Sequence, residues 1–295
     1  GLALAFPEIL AAHEAENTRL RSQLQPELFW DDSDPAELAE RCEELILGQV
    51  SFSVLSVDVL GAFGIRPATV IGYSLGEAAA LFGMRAWRDR DEMLERVRAS
   101  GLFSRDLAGE LRAVRRAWGL PDSGPAPRWL AGVVDRPAGV VSGALDGRAR
   151  VYLLIVNTPN ECVIGGDEGA VTDVVTELGA HFYPLPGVAS VHCEVVAPVA
   201  AQYRQLHVRA TEAPEGIRFY SGFAARSYAL DSEHAAAAIL DQALHGVDFP
   251  ATVARAHDDG VRVFVEVGPG APRSASTPKA IRWISGRCSS VPRAP

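Results

Sequence analysis

The segment Gly72-Tyr73-Ser74-Leu75-Gly76-Glu77 constrains this chain more than any other. Before it runs Thr69-Val70-Ile71, β-branched and apolar like an inner parallel strand, and after it an apolar helical pattern extends from Leu75 to Arg85. A G-x-S-x-G arises by chance roughly 0.15 times in a chain of this composition, so the strand-turn-helix context carries the weight. Such a turn holds Ser74 in a strained backbone, and glycines at 72 and 76 are expected to give room for the close approach of strand and helix. The helix that follows aims its free N–H groups and positive dipole end at the same spot, so the Leu75 amide can donate to an oxyanion formed at Ser74. The competing reading is a glycine-rich turn with a serine cap.

The rest of the chain reads as alternating helices and strands. Helices are expected over Glu8 to Leu24 and Pro35 to Leu47, the second with Asp34 as N-cap and Pro35 at its first position. Val50 to Phe63, nearly free of charge except Asp58, predicts a separate helix buried on most sides. Asp91 to Trp118 is helical and Arg-rich, and the punctuation Gly119-Leu-Pro121-Asp-Ser-Gly124-Pro125-Ala-Pro127 closes it. Beyond that boundary, strands at Trp129 to Val134, Val151 to Val156, Cys162 to Ile164 and Phe182 to Leu185 alternate with helices at Pro137 to Leu145 and Glu168 to Leu178. The order is β-α-β-β-α-β. A helix at Pro198 to His207, a strand at Ile217 to Ser221, two successive helices at Ser232 to His245 and Pro250 to Asp258, and a strand at Val261 to Val267 follow. From Ala271 onward Ser, Pro and Arg dominate, and the tail is expected to be irregular.

Composition removes several function classes. The formal charge is −9, and 27 of the 28 basic residues are Arg, Lys279 being the exception, so no Lys-rich face tracks nucleic acid or anionic lipid. Cys42, Cys162, Cys193 and Cys288 form no C-x-x-C pair, which argues against a structural zinc and fits free thiols in the cytoplasm. The apolar start from Gly1 to Leu10 lacks a basic flank, and the longest later run, Val151 to Val156, falls far short of the ~20 residues of a membrane span.

A serine nucleophile needs a base, and His13, His181, His192, His207, His234, His245 and His257 compete. His192 follows Pro184-Leu-Pro186-Gly187 and precedes Ala197-Pro198, which puts it on a loop leaving the βαββαβ unit. Position alone does not single it out.

Four ordered motifs resemble one family. Gly72 to Glu77, Val156-Asn-Thr-Pro-Asn-Glu-Cys-Val-Ile-Gly-Gly166, Leu185 to Pro198 with Val191-His192-Cys193, and Phe264-Val-Glu-Val-Gly-Pro-Gly270 resemble malonyl-CoA:acyl-carrier-protein transacylases and polyketide synthase acyltransferase domains. Tyr73, where His is commoner, and the run Ala79 to Leu94 look most like the domains of iterative enediyne and polyunsaturated fatty acid synthases. The resemblance implies an α/β fold: a hydrolase-like parallel sheet over residues 1–128 and 188–270, with a ferredoxin-like insert at 129–187. It implies a cytoplasmic acyltransferase that takes malonyl or a related acyl group from CoA through an acyl-serine ester. The acceptor would be the phosphopantetheine thiol of an acyl carrier protein, among neighbouring synthase domains. No organic cofactor, metal, membrane or nucleic acid enters this scheme.

Residue by residue, the resemblance makes Ser74 the acylated nucleophile and His192 the base. Gln242 marks the backbone carbonyl that serves as third partner, so no catalytic Asp is required. Gln49, Tyr73 and Val191 are expected around the substrate, Gln49 as a buried polar residue on the helix before the elbow strand. Malonyl-selective members carry an Arg 25 residues after the nucleophile; here that position is Ala99, and Arg98, one residue early, is the candidate, turned ~100° away on a helix. Val191 stands where the family has Phe or Ser, so the motif does not fix the acyl group. The family's G-Q-G loop, which supplies a second oxyanion amide, is expected ahead of residue 1.

Two other schemes remain open. An esterase or thioesterase would want an acid and a late His, nominally Asp231 or Asp248 with His257. A non-catalytic docking module would keep the fold alone. Glu77 reads as a helix-dipole partner, Cys193 as a small buried apolar residue, and Arg112, Arg115 and Arg116 as a solvated helix face.

Overall fold

A computed structural model describes residues 2–24, 41–268 and 282–285. The expected Asp34 cap and Pro35 start, Gly270 and Cys288 lie outside them. The chain opens with helices α1 (Leu2–Ala5), α2 (Pro7–Glu16) and α3 (Leu20–Leu24). The single helix expected over 8–24 is broken at Asn17, whose backbone and side-chain N–H groups both return to the His13 carbonyl and end the first helix.

Helix α4 (Cys42–Ala62) joins the two segments that were expected to be separate helices. Gly48 sits inside it, with no steric demand that would stop the helix. By length and composition α4 could cross a bilayer, a property that its scattered polar residues hide from a count of uninterrupted apolar runs. In the fold it is buried along a stripe of Leu47, Val50, Ser51, Val54, Leu55 and Val59, and not on most sides; Phe52 is exposed. Asp58 is held by His13 and Arg85.

Strand β1 (Thr69–Ile71) leads into α5 (Gly76–Gly83). The long helix expected over 91–118 is three pieces: α6 (Arg90–Ser100), a π-helical turn Leu102–Asp106, and α7 (Arg112–Ala117). Gly101, in the left-handed region at φ 66°, ends α6, and Leu111, at φ 54°, resets the chain before α7.

The βαββαβ unit consists of β2 (Trp129–Val134), α8 (Ala138–Leu145), β3 (Val151–Thr158), β4 (Glu161–Asp167), α9 (Glu168–Leu178) and β5 (Phe182–Pro184). Its strands lie in the order β5-β2-β4-β3, all antiparallel. Period-two alternation sends Cys162 and Ile164 under α8 and α9 and Val163 to the opposite face, against Val114, Trp118 and Val195. On β3 a register shift between Leu153 and Ile155 breaks that alternation, and Leu154 and Ile155 both face this second cluster. The small subdomain is thereby glued to the rest of the molecule through an apolar layer.

The chain then runs through a 3-10 turn Glu194–Val199, α10 (Ala200–His207), β6 (Arg218–Ser221), β7 (Arg226–Tyr228), α11 (Ser232–His245), β8 (Val247–Asp248), α12 (Phe249–Asp258) and β9 (Val263–Glu266). β1 pairs with β6 in parallel, but β7 folds back antiparallel on β6, a departure from an all-parallel core. β8 extends the small sheet by pairing parallel to β3, bridging the two subdomains. β10 (Arg282–Ser285) pairs parallel with β9, so the segment expected to be an irregular tail contains a strand.

Candidate active site

The elbow is built by steric exclusion. Ser74 has φ 52°, a left-handed conformation that non-glycine residues adopt only under constraint. A Cβ on Gly72 would lie 2.1 Å from the Glu77 backbone nitrogen, so only glycine fits there. At Gly76 an added Cβ would meet nothing, and the expected need for glycine on that side does not hold. Gly76 N donates to the Tyr73 carbonyl and Glu77 N to the Ser74 carbonyl, while the Leu75 N–H donates to no group among the described residues. It sits at the N-terminal end of α5, free to meet an oxyanion.

His192, at φ 69° and buried, brings Nε2 to 2.7 Å from Ser74 Oγ. Its placement follows from the end of α11. The last four carbonyls of a helix have no partner within it, and here the Ala243 carbonyl accepts from the His192 and Cys193 backbone N–H groups, while the Gln242 carbonyl lies 2.8 Å from His192 Nδ1. A carbonyl only accepts, so Nδ1 carries the proton and Nε2 presents its lone pair to the serine hydroxyl. Burial lowers the His192 pKa to about 4, against the opposing Gln242 bond, and keeps the ring neutral near pH 7. The negative end of α11 stands behind an imidazolium when one forms, the task a carboxylate performs in acid-containing triads. The Gln242 side chain adds a bond from Nε2 to the Ser74 carbonyl, 3.2 Å.

A cavity of about 630 Å³ opens beside this pair, bordered by Val50, Leu75, Met93, Phe103, Val191 and Tyr203 among others. Ser74, Leu75, Val191, His192 and Gln242 are thus gathered at one place. Gln49 reaches the cavity from an exposed position, not a buried one. Tyr73 does not border it; its hydroxyl turns to Asn157 in the small subdomain. Arg98 is exposed and also outside the lining, because α6 turns Arg90, Met93 and Val97 inward and position 98 lies ~100° further round.

Arg41 and Arg90 both border the cavity and were missed by sequence reasoning; of the two, Arg90 is the buried one. It is 5% exposed and borders the cavity, its Nε on Gln23 Oε1 at 3.1 Å and its Nη2 on His13 Nδ1 at 3.1 Å. Its spacing of three and seven from Met93 and Val97 was the available signal. Arg112, Arg115 and Arg116 are engaged elsewhere, by Glu110, the 121–125 loop carbonyls and Asp106. Cys193 is buried between the subdomains, and burial first pushes its thiol pKa up to about 12, removing it as a nucleophile. Glu77 is buried, with one carboxyl oxygen accepting from Gly222 N and the other unpartnered; burial, then Asp241, pushes its pKa up to about 8.

A serine on a strand-to-helix turn, a neutral buried imidazole and an open amide at a helix N-terminus, beside a largely apolar cavity in an α/β fold, form an arrangement that can support acyl chemistry on serine. The comparisons assign the family: residues 32–286 match the family described as "Acyl transferase domain", and the chain belongs to it. A polyunsaturated fatty acid synthase polypeptide of Thraustochytrium sp. is 27% identical over 302 residues, covering 90% of this chain but 14% of that protein. The acyltransferase domain from the second module of the salinomycin polyketide synthase shares the fold with a TM-score of 0.73 at 21% identity, covering 99% of this chain and 66% of that one. A type II polyketide synthase acyl-carrier protein in complex with its malonyl-transacylase is similar with a TM-score of 0.70 at 20% identity, covering 91% and 83%.

Proposed function

We propose that this domain transfers an acyl group, malonyl by family resemblance, from CoA to the phosphopantetheine thiol of an acyl carrier protein, through an ester on Ser74. The 2.7 Å contact between Ser74 Oγ and His192 Nε2, with Nδ1 committed to the Gln242 carbonyl, supports this reading above all else. His192 accepts the hydroxyl proton as Oγ attacks the thioester carbonyl, and the Leu75 N–H meets the oxygen that becomes negative. Collapse of the tetrahedral intermediate breaks the C–S bond, and the departing thiolate takes the proton from His192. The carrier thiol then gives its proton to His192 and attacks the ester carbonyl; collapse breaks the C–O bond to Ser74, whose Oγ takes the proton back from His192. Both thioester carriers are substrates, so the cycle needs no resident cofactor. The neighbouring synthase domains implied by the relatives would supply the carrier.

The esterase scheme fits the geometry less well. Asp231 caps α11 and bonds His234, Asp248 caps α12, and His257 lies beside Asp258, while Ser74 already has His192. Isolated acyl-enzyme, offered a carrier protein bearing its phosphopantetheine arm or buffer alone, distinguishes the two. Discharge to the carrier at least ~100-fold faster than to water is expected; equal rates would favour the esterase.

A further inference from the structure

Ser74 and Leu75 border the cavity, but Tyr73, between Gly72 and Ser74, lies outside its lining and turns its hydroxyl to β3 of the small subdomain. Its hydroxyl meets Asn157 Oδ1 at 2.7 Å, and Asn157 Nδ2 meets Glu161 Oε1 at 2.9 Å. The direction of this chain is fixed. A carboxylate oxygen accepts, so Asn157 turns its amide nitrogen to Glu161 and its oxygen to Tyr73, which must donate. Burial, then the Glu161 charge, raises the Tyr73 pKa and holds the phenol in its protonated, donating form. Edge-on packing of Tyr73 against Phe249, 5.5 Å between centroids, fixes the ring.

Asn157 and Glu161 stand on either side of the Pro159-Asn160 turn that joins β3 to β4. The hydrogen-bond chain therefore ties the nucleophile turn directly to the tip of the small subdomain. His192, in contrast, is held by α11 carbonyls, and the Ser74 carbonyl by Glu77 N–H and Gln242 Nε2, so neither partner of the pair is bonded to a side chain of this hydrogen-bond chain. On the acyltransferase reading, an acyl group that fills the cavity leaves to the thiol arm the face of the nucleophile turn that Tyr73 shares with β3.

We propose that Tyr73, Asn157 and Glu161 form a strap that sets the gap between the nucleophile turn and the small subdomain, and so determines how tightly the pantetheine arm of donor and acceptor is held. They are positioning residues, and the proposal rests on the acyltransferase reading above.

Tyr73→Phe removes one hydroxyl and leaves the ring. Two probes separate its effects: malonyl-CoA, which carries the arm, and phenylmethanesulfonyl fluoride, which tests Ser74 and His192 without it. The strap predicts a KM for malonyl-CoA raised about fivefold, kcat within twofold, and unchanged sulfonyl fluoride inactivation. Glu161→Gln, which keeps an acceptor for Asn157 but no longer fixes the direction of the chain, should raise KM less than Glu161→Ala does. Glu161→Ala should raise KM as Tyr73→Phe does, and the double variant should add little further. An unchanged KM in Tyr73→Phe overturns the proposal, as does a parallel loss of sulfonyl fluoride reactivity, which would place the effect on the nucleophile or on folding. A wild-type protein that reacts with the sulfonyl fluoride yet takes no acyl group from malonyl-, acetyl- or methylmalonyl-CoA overturns the acyltransferase reading itself.

Discussion

Two buried histidines border the same cavity, and they differ in one respect that matters. His192 and His207 each place Nδ1 2.8 Å from a backbone carbonyl, that of Gln242 and of Tyr203, and burial lowers each pKa to about 4. His207 makes its bond within α10, four residues back, and its ring stacks on Trp87 and lies tilted against Tyr203, with Arg96 and Arg209 nearby. His192 makes its bond across 50 residues of sequence and turns Nε2 onto Ser74. A depressed pKa therefore marks burial in both regions, and the neighbour of the second ring nitrogen tells them apart: only His192 presents it to a hydroxyl, that of Ser74.

The contrast is sharpest under substitution. His192→Ala should slow acylation by malonyl-CoA about 10²- to 10⁴-fold, whereas His207→Ala should leave the rate constant within about threefold. Stability should order them differently: removing the packed His207 ring is expected to cost about 2 to 4 kcal/mol by urea unfolding. A His207→Ala loss of rate comparable to that of His192→Ala would erase the distinction.

Titration should group the two histidines together and set Glu77 against them. With folded pKa values near 4, below the ordinary 6.5, both rings leave the unfolded chain to take up protons first, so stability falls as pH drops from about 6.5 towards 4, by up to about 1.4 kcal/mol per pH unit for each. Glu77, raised from 4.5 to about 8, keeps its proton in the folded state and loses stability as pH rises from about 4.5 to 8. Two opposing one, and then one alone, put maximum stability near pH 6.5. Glu77→Gln should flatten the alkaline decline; wild-type stability that still climbs between pH 6.5 and 8 would contradict the assignment.

Smaller effects test the supporting residues. Gln242→Ala keeps the backbone carbonyl that orients His192 and loses only the side-chain bond to the Ser74 carbonyl, so kcat should fall less than tenfold. Arg98→Ala should leave KM for malonyl-CoA unchanged within error, since the side chain lies outside the cavity; a large rise would restore it as the carboxylate partner.

Local features of this architecture were legible in the sequence and distant ones were not. The elbow and the helices Glu168–Leu178 and Ser232–His245 could be read because a turn motif and apolar periodicity act within a few residues. α4 is one helix where two segments were expected, because packing against α5 and α2 carries it from Cys42 to Ala62. The two-residue strand β8 exists only because β3 offers it an edge, which no window of sequence reveals. The meeting of Ser74 with His192 spans 118 residues and came from resemblance, as did the Gln242 carbonyl. The outward turn of Tyr73 and the inward turn of Arg90 depend on neighbours in three dimensions, and residue type could not show them.

The most direct test of the account is rapid-mix intact mass spectrometry with malonyl-CoA, followed by peptide mapping, on wild type beside Ser74→Ala. One acyl group per chain, on the peptide carrying Ser74 and absent from the variant, is the predicted result. An adduct that persists in Ser74→Ala, or maps to Cys193, would contradict it.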